Sequence, residues 1–124
     1  MVNPISPNLP SRRRLREAAS WLHRQGWQAE WAFTRSPGDA TAMAARAAHE
    51  ERSLVVVCGG DGTLNEAANG LVGSKTALSF IPAGTANVWA KEAGIPRHPI
   101  AALEVAIRGQ ARRMDLGRAS ESSG

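Results

Sequence analysis

"LVVVCGGDGTLNEA", Leu54 to Ala67, passes from an unbroken apolar run through a cluster of glycines into the helical spacing of Leu64 and Ala67. A continuous apolar run of that length predicts a strand covered on both faces, the condition of a parallel sheet between helix layers. Glycines let backbone N–H groups come close to a phosphate, and the N-terminus of the helix that follows adds favourable partial charge. The same glycines also suit a bare strand-to-helix turn that holds no ligand. Asp61 stands among them, a negative charge where an anion would sit.

Working outward, "MVNP" at residues 1–4 reads as the end of a strand stopped by Pro4, either very short or lacking its beginning. Ser11 caps a helix to about Gln25, with Gly26 as its left-handed stop. "WQAEWAFT", Trp27 to Thr34, alternates apolar and polar residues and predicts a half-buried strand, broken by "RSPGD". A second helix starts at Asp39 and runs to about Glu51, with Ala40, Met43, Ala44 and Ala47 along one face. After the glycines, Leu64, Ala67, Ala68 and Leu71 mark a third helix ending near Gly73, and "ALSFIP" follows as a strand. "AGTAN" is a loop, "VWAKEA" a short helix stopped by Gly94 and Pro96, and Pro99 to Arg108 a further helix. "ARRMDLG" predicts a last strand with Met114 and Leu116 on one side. This alternation predicts an α/β domain over residues 1–118, a mostly parallel sheet with helices on both faces and right-handed crossovers. Residues 119–124, "ASESSG", read as a polar tail or a cut linker.

Composition narrows the function classes. At 124 residues the chain suits one small domain, and 43% hydrophobic with 21% charged residues excludes wholesale disorder. No apolar run reaches bilayer-spanning length and the N-terminus lacks the order of a signal peptide, so a cytoplasmic protein is expected. Cys58 is the single cysteine, which excludes an internal disulfide and thiol-based metal clustering. Much of the +4 net charge sits in Arg12, Arg13, Arg14 and Arg16, on a helix whose apolar Leu15, Ala18, Ala19 and Leu22 keep helical spacing. That pattern predicts a solvated helix face, and the few aromatics are not interleaved with basic residues as a base-stacking platform needs.

In a parallel sheet, loops leaving the strands' carboxyl ends share one edge and ligands bind in the crevice there. Two loops fall on that edge: Gly59-Gly60-Asp61-Gly62-Thr63, and Pro82 to Asn87. Thr85 offers a hydroxyl to a phosphate, and Asn87 caps the next helix or holds the first loop. Familiar phosphate motifs fail. Gly60-Asp61-Gly62-Thr63-Leu64-Asn65 lacks the third glycine of a dinucleotide fingerprint, and "GLVGSKT" at residues 70–76 has too short a glycine spacing for a Walker A loop, leaving Lys75 a surface residue.

"VVVCGGDGTLNEAANGL" with "FIPAGTANVWAKEAGIP" resembles the nucleotide-binding domain of the diacylglycerol kinase catalytic family, which includes bacterial lipid kinases and sphingosine kinases. "VNP" near the start and "RRMDLG" near the end fall where that family has its opening Asn-Pro and a later Asp-x-Gly strand, so the resemblance covers about residues 2–117. NAD kinases and phosphofructokinases share a GGDG-type loop, but "TLNE" directly after it and "PAGTAN" beyond look like the lipid kinases, with an NAD kinase-like fragment as the alternative. The resemblance implies transfer of the γ-phosphoryl group of ATP to a lipid hydroxyl with Mg²⁺, at a membrane surface on the cytoplasmic side. It implies nucleotide contacts from Asn3, Thr34, Gly59, Gly60, Asp61, Gly62, Thr63, Asn65, Glu66, Gly84, Thr85 and Asn87. Asp61, shared with Asp115, then belongs to a Mg²⁺-and-water network, against the plainer reading that it braces its own turn. Glu66 reads as a helix-end charge rather than a catalytic base.

Three departures stand out. Val88 replaces an acid that many members carry, and Pro7 follows Ser6 where members usually have glycine, removing an N–H. Members also continue into a β-rich domain that supplies the general base and the lipid-facing surface. The chain is therefore expected either to be the ATP-binding half of a lipid kinase or to be a nucleotide-binding module without transfer activity. A face left uncovered by the second domain predicts self-association.

Overall fold

The computed structural model describes residues 1–109; the expected last strand, Asp115 and the polar tail lie outside the described residues. Helix α1 (Arg12–Arg24) starts where the Ser11 side chain accepts a hydrogen bond from the Arg14 N–H at 3.2 Å, the cap its sequence predicts. It buries Leu15 and Ala18 and leaves Arg12, Arg13, Arg14 and Arg16 exposed, so the basic run is a solvated face.

Helix α2 (Asp39–His49) ends two residues before the expected Glu51, because Glu50 caps it and Glu51 turns left-handed at φ 59°. At its start, Asp39 accepts from the Arg35 N–H at 2.8 Å, the Ser36 N–H at 3.0 Å and the Ser36 hydroxyl at 3.2 Å. These bonds favour the charged form, with the Arg35 and Ser36 N–H groups the main causes, and hold the carboxyl below its ordinary value of 3.8. A depressed folded pKa contributes stability above the unfolded value that is lost as pH falls through the folded one. Asp39→Ala is therefore expected to lower the melting temperature at neutral pH, with the gap from wild type closing below pH 3.8, as thermal circular dichroism would read. A gap of equal size at neutral and strongly acid pH would contradict this cap.

Strands β1 (Leu54–Gly59) and β2 (Ala77–Pro82) pair in parallel, in register from Leu54 opposite Ala77 to Gly59 opposite Pro82. Helix α3 (Asp61–Leu71) connects them, and α4 (Val88–Ala93) and α5 (Pro99–Gly109) follow. Side chains alternate across the strands. Val55, Val57 and Phe80 face one core with Ala44 of α2 and Leu64, Ala67 and Leu71 of α3. Cys58 and Ile81 face the other, with Leu15 and Ala18 of α1 and Ala102 and Leu103 of α5. The unbroken apolar run at 54–58 is thus explained by helices on both faces. Val57 and Phe80 are fully buried, each worth about 1.5–3 kcal/mol relative to exposure.

The outer strands differ from expectation. Only Val2 of "MVNP" and Phe33 of "WQAEWAFT" join the sheet, Val2 forming parallel bridges to Phe33 on one side and Cys58 on the other. The period-two pattern of Trp27 to Ala32 is a strand's, but only its Ala32 end meets the sheet, its carbonyl accepting from the Val2 N–H at 2.7 Å, and Trp27–Trp31 form no bridge. The helix after the glycines also begins earlier than expected, at Asp61, so Asp61, Gly62 and Thr63 form its first turn rather than a loop. Helices α2 and α3 cross at Gly70, where a Cβ would strike the Thr41 carbonyl oxygen and lie 2.8 Å from the Ala44 Cβ. The Thr41 hydroxyl reaches across the same crossing to the Glu66 carbonyl at 2.8 Å.

Candidate functional site

Four segments end at one sheet edge: Val2–Asn3, Phe33–Thr34, β1 at Gly59 and β2 at Pro82. The edge is knitted by backbone contacts. The Ala83 N–H donates to the Gly59 carbonyl at 2.7 Å, bringing the two glycine loops side by side. There Gly60 and Gly84 meet backbone to backbone: a Cβ on Gly84 would lie 2.6 Å from the Gly60 Cα, and one on Gly60 3.3 Å from the Gly84 Cα. Both positions therefore need glycine for close approach rather than for unusual dihedral angles.

The side chains fasten the loops. Asn3 Nδ2 donates to the Thr63 hydroxyl at 3.3 Å. Asn87, itself at φ 50°, closes its own loop by accepting from the Gly84 N–H at 2.8 Å and donating to the Gly84 carbonyl at 2.9 Å. Asn87 thus holds the second loop and makes no side-chain cap for α4. Asn8, which sequence reasoning missed, donates from Nδ2 to the Gly84 carbonyl at 2.9 Å and from its N–H to the Ala83 carbonyl at 2.9 Å. A polar residue between two prolines carries no periodic signal that would have picked it out.

Asp61 resolves the puzzle of an acid among glycines in an unexpected way. Its Oδ2 accepts from the Val88 N–H at 2.9 Å, so the carboxylate of the first loop caps the helix that follows the second. The position also places negative charge on the first turn of α3, where the helix dipole favours it. This brace crosses from the first loop to the second. Glu66 is turned elsewhere: with α3 starting at Asp61 it lies beyond the first turn of its own helix, and its Oε1 accepts from the N–H of Gly38, the N-cap of α2, at 3.1 Å. Asn65 and Thr85 are exposed, while Thr34 is buried and joins the edge through its N–H on the Val2 carbonyl at 2.9 Å.

The start of α3 is the part of the site with chemistry to offer. Its ladder begins with the Leu64 N–H on the Gly60 carbonyl at 3.1 Å, and Gly60 has no side chain to cap the N–H groups of the turn between them. Gly62 on that turn is exposed, with nothing within 4 Å of where a Cβ would stand. The segment 3–8 spans from Thr63 to Gly84, and within it the Ser6 Oγ is buried with no hydrogen-bond partner. Among the described residues, no group of three or more His, Cys, Asp or Glu comes together to hold a metal.

These features define a parallel α/β domain whose strand ends carry a double glycine loop at a helix N-terminus. The family model described as the diacylglycerol kinase catalytic domain matches residues 1–119, and the chain belongs to that family. It is 36% identical over 120 residues to diacylglycerol kinases of Staphylococcus aureus strains bovine RF122 / ET3-1 and MRSA252, covering 95% of this chain and 38% of each relative. A crystal structure of a diacylglycerol kinase from Bacillus anthracis str. Sterne superposes with a TM-score of 0.74 at 28% identity, over 86% of this chain and 40% of that one. The chain thus spans well under half the length of the relatives it matches.

Proposed function

We propose that this chain is the nucleotide-binding half of an ATP-dependent lipid kinase that phosphorylates the hydroxyl of diacylglycerol or a similar lipid. The observation that carries the reading is the backbone contact of Gly60 with Gly84, which sets two loops against the uncapped first turn of α3. Family membership supplies the reaction class.

The residues present fit a phosphate chain. The buried Ser6 hydroxyl lacks a partner, the N–H groups of Gly62 and Thr63 precede the helix ladder, and Thr63 and Thr85 add hydroxyls at the same edge. Asn3, Gly59 and Asn87 fix the loops, and Thr34 ends the neighbouring segment. When bound, Mg-ATP supplies the phosphoryl group and the cation that offsets its charge. Asp61, with Asp115, would hold that cation through water while keeping its bond to the Val88 N–H. Preorganised donors of this kind orient the phosphates without reorganising during reaction. Glu66 already accepts from the Gly38 N–H, and it is not assigned as the general base in this reading.

Calorimetry with Mg-ATP tests the reading. Weak binding is expected, and Gly62→Val should weaken it at least about tenfold while leaving the melting temperature nearly unchanged, since its side chain enters open space. No heat at millimolar ATP would refute the loop assignment. The fraction of relatives' length covered favours a second reading, a binding module that transfers nothing by itself. Radiolabelled ATP with diacylglycerol in mixed micelles separates the two: transfer above background by the chain alone excludes the second.

A further inference from the structure

One oxygen of the second glycine loop is held from two directions. The Gly84 carbonyl accepts from Asn87 Nδ2 at 2.9 Å and from Asn8 Nδ2 at 2.9 Å, which fills the two lone pairs of a backbone carbonyl. The Asn87 bond closes the loop on itself, whereas Asn8 reaches in from the segment that precedes α1. That segment is fastened without the side chain, since the Asn8 N–H already donates to the Ala83 carbonyl at 2.9 Å. The side-chain amide is thus a second tie, aimed at one oxygen. The segment also has no backbone donor of its own to offer a ligand. Pro4 and Pro7 carry no N–H, the Ile5 N–H donates to Asn3 Oδ1 at 3.3 Å, and the Ser6 N–H donates to the Asn3 carbonyl at 3.2 Å.

What the Gly84 carbonyl fixes is the next amide. A trans peptide unit is planar, with its C=O and N–H pointing opposite ways, and no cis bond occurs among the described residues. Turning the Gly84 oxygen onto Asn8 and Asn87 therefore turns the Thr85 N–H away from both. Among the described residues that N–H has no acceptor, and Thr85 is exposed. Gly84 has no side chain to restrict rotation of this peptide, so its orientation depends on the bonds made to its oxygen.

We propose that Asn8 is a positioning residue for the nucleotide: with Asn87 it fixes the Gly84–Thr85 peptide so that the Thr85 N–H stands ready to donate to a phosphate oxygen. This role rests on the phosphate reading of the two glycine loops given above. An amide already aimed at an anion needs no reorganisation when the anion arrives, and its bond to a charged acceptor is stronger than one between neutral groups. Asn8 touches no phosphate in this role and acts only through Gly84. A side chain that merely fastened its segment would matter for stability and not for the response of one amide to the nucleotide.

The test compares wild type with Asn8→Asp, which keeps the shape of the side chain, removes its donor and sets a carboxylate against the Gly84 carbonyl. Amide NMR of the labelled full chain is followed during titration with Mg-ATP, with calorimetry for affinity and thermal melts for stability. Loss of one hydrogen bond should lower the melting temperature by no more than about 4 °C, because the Asn8 N–H keeps its bond to Ala83. Affinity is expected to weaken at least about tenfold, and the saturating shift of the Thr85 amide to be lost while those of Gly62 and Thr63 persist. Unchanged affinity, a Thr85 shift that persists, or a loss shared equally by all three amides overturns the role of Asn8 and leaves the loop reading standing. A wild-type chain without shifts at millimolar Mg-ATP overturns the loop reading itself, and this role with it. Should Asn8→Asp prevent folding, Asn8→Ala carries the same comparison, decided by the same three amides.

Discussion

Gly84→Ala is expected to lower the melting temperature by about 10 °C and to abolish Mg-ATP binding by the folded fraction. The added Cβ would lie 2.6 Å from the Gly60 Cα, a backbone atom, and 3.0 Å from the Asn87 Oδ1, which is bonded to the Gly84 N–H. The loops must part or Asn87 must release the Gly84 N–H, which is buried. Overpacking of this kind costs roughly 3 kcal/mol, and a domain of this size loses a few degrees per kcal/mol. Gly60→Ala, with its nearest contact at 3.3 Å, gives the internal scale and should cost about a third as much. Thermal melts of the two variants check the order. Equal effects would mean that the loops are not in contact.

Gly70→Val should be nearly as damaging for a reason remote from the site. At the α2–α3 crossing, the new side chain meets the Thr41 carbonyl, the Ala44 Cβ and the Ala45 nitrogen, two of them backbone atoms of the facing helix. Even Gly70→Ala, which gains roughly 1 kcal/mol of helix propensity, should be destabilised on balance, because the collision costs roughly 3 kcal/mol. Gly62→Ala is the matched control: it sits in the same helix with nothing within 4 Å, so its propensity gain is unopposed. Urea titrations should show opposite signs for the two alanine variants. A Gly70→Ala protein as stable as wild type would show that the helices do not cross this closely.

What could be read from the sequence was what local pattern controls. The apolar run at 54–58 required cover on two faces, and the first three helices gave themselves away by spacing, the first also by its Ser11 cap and the third only from Leu64 onward. Both glycine loops were placed on one edge because parallel strands oblige it, and the structure brings them into contact. Reading failed where a partner decides. Trp27–Ala32 has a strand's alternation, but a ladder also needs a neighbour, which the pattern of one segment does not report. Asp61-Gly62-Thr63 reads as loop because glycine is poor in helices, yet the three residues form a first turn whose N–H groups need no ladder partner. The bond from Asp61 to Val88 spans 27 residues and that from Glu66 to Gly38 spans 28, beyond any periodicity. Gly70 entered the sequence analysis only as the first glycine of a failed Walker A match, and the facing backbone of α2 reveals why it has no side chain.

The central claim is that the two glycine loops and the start of α3 together receive the phosphates of a nucleotide. Amide NMR of the isotopically labelled chain during titration with Mg-ATP tests it directly. Saturable shifts are expected at Gly60 to Thr63 and at Gly84 to Asn87, with α1 and the α2–α3 crossing at Gly70 little changed. Shifts that are absent at millimolar Mg-ATP, or that spare both loops while appearing elsewhere, would contradict it.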